Sequence, residues 1–170
     1  MMTMQHRRHR GVTLLELAIA LAVIAVLGAL ALPSLGARLD QQRLSGAAEA
    51  LLADLSEARF EAARQHRSLH LVTQTGDNWC WAVALDPGCP CGQAQACELR
   101  HAMHKDHTGV RLVEAQALSL NANGTAGTAA SATLESRRGV RLRVDLQALG
   151  RARICAPAGA APPNSRYPPC

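Results

Sequence analysis

The first 32 residues, MMTMQHRRHRGVTLLELAIALAVIAVLGALAL, decide the fold of this chain. Residues 1–11 are polar and basic, whereas the 21 residues from Val12 to Leu32 contain a single charged side chain, Glu16. A helix rises about 1.5 Å per residue, so this apolar segment reaches about 32 Å, enough to cross the hydrocarbon layer of a bilayer. The basic flank predicts that the N-terminus stays in the cytoplasm. The sequence therefore predicts a leader at residues 1–11 and a single transmembrane helix at residues 12–33.

Glu16 is the unexpected residue of this segment. A carboxylate in the apolar part of a membrane helix costs on the order of 2 to 3 kcal/mol on insertion. An ammonium group on a neighbouring chain removes much of that cost, but only when the two chains stand in the right axial register. The alternatives are a headgroup position for Glu16 and a conventional signal peptide cleaved near Leu35-Gly36-Ala37. The charge within the apolar run argues against the signal peptide.

The residues around Glu16 resemble a known leader. The segment Gly11-Val12-Thr13-Leu14-Leu15-Glu16, with basic residues before it and an apolar helix after it, resembles the class III leader of type IV pilins and of the pseudopilins of type II secretion. The resemblance implies cleavage after Gly11 by the prepilin peptidase and methylation of the new N-terminus at Val12. It also implies that Glu16 pairs with the terminal amine of a neighbouring subunit during filament assembly. Pro33 falls where this family often carries a helix-bending proline.

The rest of the chain divides into three parts. Residues 34–67 carry apolar side chains at helical spacing, which predicts an amphipathic continuation of the helix. Residues 68–156 consist of short β-like runs between Gly, Asn and Asp turn signals, which predicts antiparallel sheet packed on the helix in an α+β fold. Residues 157–170 contain five prolines and predict an extended tail. The predicted strands are residues 69–75, 79–85, 109–113, 117–121, 132–135, 139–146 and 151–155.

Six cysteines follow the apolar segment, and we expect them to form disulfides. An even number of cysteines in a domain outside the cytoplasm favours bridges. A bridge between Cys155 and Cys170 would close the tail into a loop beside the C-terminal arginines. Cys80, Cys89, Cys91 and Cys97 then pair among themselves, with the connectivity open except that Cys89 and Cys91 are too close in sequence.

A zinc site is the alternative use of these cysteines. Cys89, Cys91 and Cys97 stand near three histidines, but the spacing fits no standard zinc pattern. We therefore expect no metal and interpret the histidines as an exposed loop. No nucleophile with a base and no phosphate loop accompanies them, so we expect neither an enzyme nor a cofactor. The histidines are His101, His104 and His107.

Arginines are concentrated near the C-terminus. Between Ser136 and Arg153 there are six arginines and one acid, Asp145. Period-two alternation in two strands joined by a turn at residues 147–150 predicts arginines on one face, which repel each other unless they meet an anion. A polyanion suits such a face, and the chain's few aromatic residues favour the backbone of double-stranded DNA over single strands. The candidate DNA-binding residues are Arg137, Arg138, Arg141, Arg143, Gly150, Arg151, Arg153 and Arg166.

The globular part resembles the FimT/GspH branch of minor pilins and pseudopilins. The similarity is carried by residues 47–64, Trp79, residues 118–121 with Gly124, and Gly150-Arg151-Ala152-Arg153. The last motif is similar to that of FimT-like minor pilins that bind DNA during natural transformation. The resemblance implies a pilin-like fold, other pilins as partners, anchoring in the bacterial inner membrane, and a periplasmic domain that becomes extracellular in a pilus.

Two other functions are compatible with the same sequence. A GspH-like minor pseudopilin of the type II secretion system shares the leader, the helix and the sheet, and would use the arginines for protein contacts. A minor pilin that only primes the filament would use them to bind other minor subunits. Charge alone does not decide, because loss of the leader lowers the net charge from +5 to 15 − 13 = +2.

Overall fold

A single helix dominates the N-terminal third of the chain. The computed structural model describes residues 13–93, 96–160 and 166–170, without the side chains of residues 30–34. Helix α1 runs from Leu14 to Gln65 and continues through Pro33 without interruption. Thr13 caps its start, since the Thr13 Oγ1 accepts the backbone N–H of Glu16 at 3.2 Å. His66, with a φ of +52°, ends it.

The chain separates into two compact units, residues 1–38 and residues 39–170. In the first unit, the large apolar side chains from Leu14 to Leu27 are each more than half exposed. No helix in the described part of the chain is long and apolar enough to cross a membrane. The predicted span at residues 12–33 includes positions outside the described residues, as do the predicted cleavage and methylation positions Gly11 and Val12.

The second unit contains two antiparallel four-stranded sheets. The order in the first sheet, called sheet A, is β3-β2-β1-β5, and the order in the second, sheet B, is β4-β6-β7-β8. This arrangement confirms the predicted α+β fold. The strands are β1 Leu69–Gln74, β2 Cys80–Ala84, β3 Glu98–Met103, β4 Val110–Ala115, β5 Leu118–Leu120, β6 Ala130–Ser136, β7 Arg141–Leu146 and β8 Ala152–Cys155.

The core lies between the second half of the helix and the inner faces of the sheets. The buried helix residues recur every three or four positions, as an amphipathic helix requires. Trp81 of β2 is fully buried and donates its indole N–H to Asp54 Oδ2 on the helix at 2.8 Å. Trp79 donates to the carbonyl of Val110 at 2.8 Å. The buried helix residues are Leu44, Ala47, Ala48, Leu51, Leu55, Ala58 and Ala62.

Strand β3 is the element that the sequence did not predict. Its sequence, ELRHAM, has no alternation of apolar and polar residues, and Ala102 is its only buried residue. β3 pairs with β2 at the edge of sheet A, where charged side chains are common because they oppose pairing with other chains. Backbone pairing with a buried neighbour makes it a strand.

The cysteine-rich loop between β2 and β3 covers the outer face of sheet A. Disulfides join Cys80 to Cys91 and Cys89 to Cys97, so the four cysteines do pair among themselves. The loop is also tied down by the Gly92 N–H, which donates to Glu98 Oε1 at 2.7 Å. With the loop on one side and the core on the other, every residue of β2 is buried. This coverage compensates for a core with few large side chains.

The expectation of an exposed histidine loop is wrong for two of the three histidines. His107 is half-buried and stacks on Trp81 and Trp79, with ring centroids at 5.4 and 6.2 Å. His104 is half-buried as well, and His101 lies in β3 with Nδ1 at 3.3 Å from Glu98 Oε2. Burial lowers the pKa of His107, although the charges of nearby Asp106 and Asp54 act to raise it.

Protonation of His107 is expected to destabilise the fold. Because its pKa is lowered in the folded chain from the ordinary 6.5, the unfolded chain binds more protons below that pH. Stability is therefore full above about pH 6.5 and falls as the pH decreases. Urea unfolding between about pH 7.5 and pH 5.5 measures this loss. His107→Phe keeps a ring on the tryptophans and should lose less stability on acidification; an identical loss in both proteins would contradict the assignment.

Candidate nucleic-acid interface at the C-terminal hairpin

The predicted arginine hairpin is present. β7 and β8 pair antiparallel, with Asp145 opposite Arg153 and Arg143 opposite Cys155. Residues 147–150 form the turn, closed by hydrogen bonds from the Gln147 N–H to the Arg151 carbonyl at 2.9 Å and from the Gly150 N–H to the Gln147 carbonyl at 2.8 Å. The alternating side chains of β7 are buried at Leu142, Val144 and Leu146, so the arginines between them point away from the core.

The expectation that these arginines form an uninterrupted cationic face is wrong. Register places Glu135 of β6 opposite Arg141, and the Arg141 Nε lies 2.6 Å from the Glu135 Oε2. Arg111 of β4 approaches the same carboxylate at 3.6 Å, and Arg153 lies 3.6 Å from Asp145 Oδ2. Acids on neighbouring strands therefore interrupt the row of positive charges, which the sequence around the motif did not reveal.

Two further candidate arginines are tied to the helix. Arg138 lies 3.2 Å from Asp40 Oδ2. Arg166 pairs with Glu49, and the hydroxyl of Tyr167 donates to the same carboxylate at 2.8 Å. Both pairs are solvent-exposed, and exposed ion pairs contribute little to stability. Their effect here is to fix where these two arginines point.

The remaining three candidate arginines have no acidic partner within 4 Å among the described residues. Arg137 and Arg151 are exposed, while Arg143 is half-buried and its Nε has no hydrogen-bond partner in that part of the chain. The other described arginines without a nearby carboxylate are Arg38, Arg59 and Arg67. All the ion pairs found involve Arg43, Arg64, Arg100, Arg111, Arg138, Arg141, Arg153, Arg166 and His101.

Gly150, the glycine of the Gly-Arg-x-Arg motif, is buried and serves packing. It has a φ of +74°, and a Cβ added to it would lie 2.0 Å from the carbonyl oxygen of Gly124. Gly124 in turn has a φ of +76°, and a Cβ there would lie 3.1 Å from the carbonyl oxygen of Arg59 on the helix. The turn before β8 thus rests on the loop before β6, which rests on the helix. Sequence analysis assigned Gly150 to DNA and overlooked this contact.

The bridge between Cys155 and Cys170 is present and returns the tail to the hairpin. The Ala156 N–H donates to the carbonyl of Pro168 at 2.8 Å, and the Cys170 N–H donates to the Ala156 carbonyl at 3.2 Å. Asp145 lies near both cysteines, but a disulfide offers no thiolate to a metal ion. The C-terminus is therefore a closed loop beside the arginines.

The aromatic residues are placed as duplex binding would require. Trp79 and Trp81 are buried and unable to stack on bases, and Tyr167 is held against the helix by Glu49. Phe60 is 72% exposed, but it stands by itself on the helix. Strand-by-strand base stacking needs a platform of several exposed rings, so contacts to the phosphate backbone fit this surface better.

Comparison with known proteins identifies the family. Residues 6–32 match the prokaryotic N-terminal methylation motif, which includes Gly11, Val12 and Glu16. The fold is similar to that of the type IV minor pilin FimU of Pseudomonas aeruginosa (strain PAO1). One crystal form matches with 22% identity and a TM-score of 0.50, over 75% of this chain and 97% of FimU. A second matches with 24% identity and a TM-score of 0.49, over 73% and 100%.

No curated protein matches the chain in sequence. Residues 47–150, more than half of the chain, match the family described as "Type II transport protein GspH". This match covers the second half of the helix and both sheets up to the glycine of the C-terminal motif. Together with the methylation motif and the pilin-like architecture, it shows that the chain belongs to the GspH family of minor pilins and pseudopilins.

Proposed function

We propose that this GspH-family chain is a minor type IV pilin that binds extracellular double-stranded DNA through its C-terminal arginines, for uptake in natural transformation. The observation that carries the proposal is the exposed, unpaired Arg151 on a turn held rigid by the Gly124–Gly150 contact and by the Cys155–Cys170 bridge. A rigid cation without an acidic partner gains free energy when it meets a phosphate, because condensed counterions leave the DNA. The proposed role is binding, without catalysis.

The candidate arginines differ in what they would contribute. Arg137 and Arg151 have no described carboxylate to give up, whereas Arg141 and Arg153 share acids with neighbouring strands. Phosphate would have to compete with Glu135 and Asp145 for these two. We therefore expect the unpaired arginines to dominate the affinity, and the paired ones to add less per side chain.

The membrane and filament parts of the proposal rest on the leader. Cleavage after Gly11, methylation at Val12 and pairing of Glu16 with a neighbouring subunit follow from the match to the methylation motif. The proposed partners are accordingly the prepilin peptidase, the inner membrane before assembly, and other pilins in the filament. The fold likeness to a type IV minor pilin supports a pilus over a secretion machine.

The DNA proposal is tested with a paired double variant. Arg151→Ala with Arg153→Ala should weaken binding of the full chain, in neutral detergent, to a short duplex by about fivefold or more, and should lower the salt dependence by up to about two phosphate contacts. The control, Arg64→Ala with Arg100→Ala, removes the same charge from two arginines that are ion-paired to helix acids. Equal weakening in both double variants would indicate a general charge effect and contradict the proposed site.

A GspH-like pseudopilin or a pilus-priming subunit is the second candidate function. The observation that favours it is the interleaving of Arg141 and Arg153 with Glu135 and Asp145, a mixed-charge surface suited to protein contacts. Absence of duplex binding at low salt, by a folded and oxidised full chain, would favour this role over DNA capture.

A further inference from the structure

We infer that Arg59 of the helix is a further DNA-contacting residue, and that the DNA surface extends from the hairpin onto the end of the domain where the helix stops. This inference rests on the proposed function and adds a residue to it. Arg59 lies outside the arginine-rich C-terminal region and belongs to a helix whose charged residues alternate in the usual way of a solvated face, so the sequence gives no reason to select it.

Two loops and the helix meet at this end of the domain. The loop at residues 121–127 follows β5, and the turn at residues 147–150 joins β7 to β8. The Ala126 N–H donates to the carbonyl of Ala148 at 3.1 Å, which ties the loop to the turn. Gly124 and Gly150 are in direct backbone contact. We call this surface the loop end.

The side chain of Arg59 lies beneath both loops. A Cβ added to Gly124 would be 3.2 Å from the Arg59 Cγ, and a Cβ added to Gly150 would be 3.3 Å from the Arg59 Cδ. The aliphatic stem of Arg59 therefore packs against the two glycines, which leaves its guanidinium at the rim of the turn. Arg151 directly follows Gly150, so two arginines 92 positions apart in sequence are neighbours in the fold.

The charges at the loop end are unpaired. Neither Arg59 nor Arg151 has a carboxylate within 4 Å in the described part of the chain, although the helix acids Glu57 and Glu61 are close in sequence to Arg59. These two acids are engaged by Arg100 and Arg64, each at 2.5 Å. Two guanidinium groups held near each other without acids form a local concentration of positive charge that a phosphate backbone would relieve.

The loop end is also open to a large partner. Phe60 and Leu149, the neighbours in sequence of Arg59 and Gly150, are 72% and 68% exposed. No described side chain covers them, so nothing in that part of the chain blocks the approach of a duplex. The outer face of sheet B, in contrast, presents arginines that already share Glu135 and Asp145.

The experiment compares two single variants of the full chain in neutral detergent. Arg59→Met keeps the aliphatic stem against Gly124 and Gly150 but removes the charge, and Arg64→Met removes one charge from an arginine paired with Glu61. Binding to a duplex of about 20 base pairs is followed by fluorescence anisotropy at several salt concentrations. Arg59→Met should bind about threefold to fivefold more weakly and lose about one unit of salt slope, whereas Arg64→Met should resemble the wild type.

The outcomes separate the inference from the proposed function. If the wild type binds and the Arg151, Arg153 double variant is weakened, but Arg59→Met equals Arg64→Met, the inference is overturned and the proposed function stands. If the wild type does not bind, both fall. Arg59→Lys restores the charge and should recover most of the affinity; a failure to recover, with an unchanged melting temperature, would point to packing and count against the inference. If Arg59→Met melts early, Arg59→Gln supplies the neutral variant.

Discussion

Gly150→Ala is expected to destabilise the globular unit by about 3 kcal/mol or more. The added Cβ would lie 2.0 Å from the carbonyl oxygen of Gly124, so one of the two backbones has to move. Gly124 is itself wedged against the helix at Arg59, which leaves no direction of easy relaxation. The left-handed φ of +74° adds a conformational cost for any residue with a side chain. Urea unfolding of the wild type and the variant measures the loss.

Gly139→Ala is the matched control for this loss. Gly139 has nearly the same φ, +75°, but a Cβ added there would meet no atom within 4 Å. It should therefore show the conformational cost by itself, about 1 kcal/mol. The difference between the two variants isolates the contact between Gly150 and Gly124. Equal losses would mean that the Gly124 loop moves aside, and the packing role of Gly150 would have to be abandoned.

Glu16→Ala is expected to abolish incorporation of the chain into filaments while leaving membrane insertion and leader cleavage intact. The Glu16 side chain is exposed and has no ion pair within the described residues, and its backbone N–H is already satisfied by Thr13 Oγ1. The carboxylate is thus not needed to start the helix. An uncompensated charge in the apolar segment persists at a cost of a few kcal/mol unless a cation of a neighbouring subunit meets it.

Glu16→Gln separates the charge from the shape of the side chain. It keeps the length and a hydrogen-bonding group, so loss of incorporation in this variant would assign the effect to the charge. Immunoblotting of sheared filaments and of membranes measures the two pools, and Glu61→Ala provides a control that removes a carboxylate elsewhere on the same helix. Normal amounts of the Glu16→Ala chain in filaments would sink the assembly role.

Local pattern was sufficient for most of the elements. The long helix, seven of the eight strands and the hairpin at residues 147–150 follow from periodicity and turn residues, which depend only on neighbours along the chain. The exception, β3, has no such pattern. It became a strand because β2 offered it a free edge, and that information lies in the sheet rather than in residues 98–103.

The candidate site was predicted only in part for a similar reason. The sequence placed Arg141 and Arg153 on neighbouring strands, and it suggested the bridge from Cys155 to Cys170. It did not reveal that Glu135 would stand opposite Arg141 or that Asp40 would reach Arg138 across 98 positions. The charge balance of a surface depends on which strands become neighbours, whereas a count along the chain includes only adjacent residues.

The sequence by itself determined the leader, the apolar segment with Glu16, the α+β class and the supply of arginines and cysteines near the C-terminus. Only the tertiary structure decided which arginines keep a free charge, that Gly150 packs against Gly124, and that Arg59 joins Arg151 at the loop end. The physical reason is the range of the interactions. Helix and strand periodicity act over a few residues, but ion pairing and backbone contact act through space between segments that the chain brings together only when it folds.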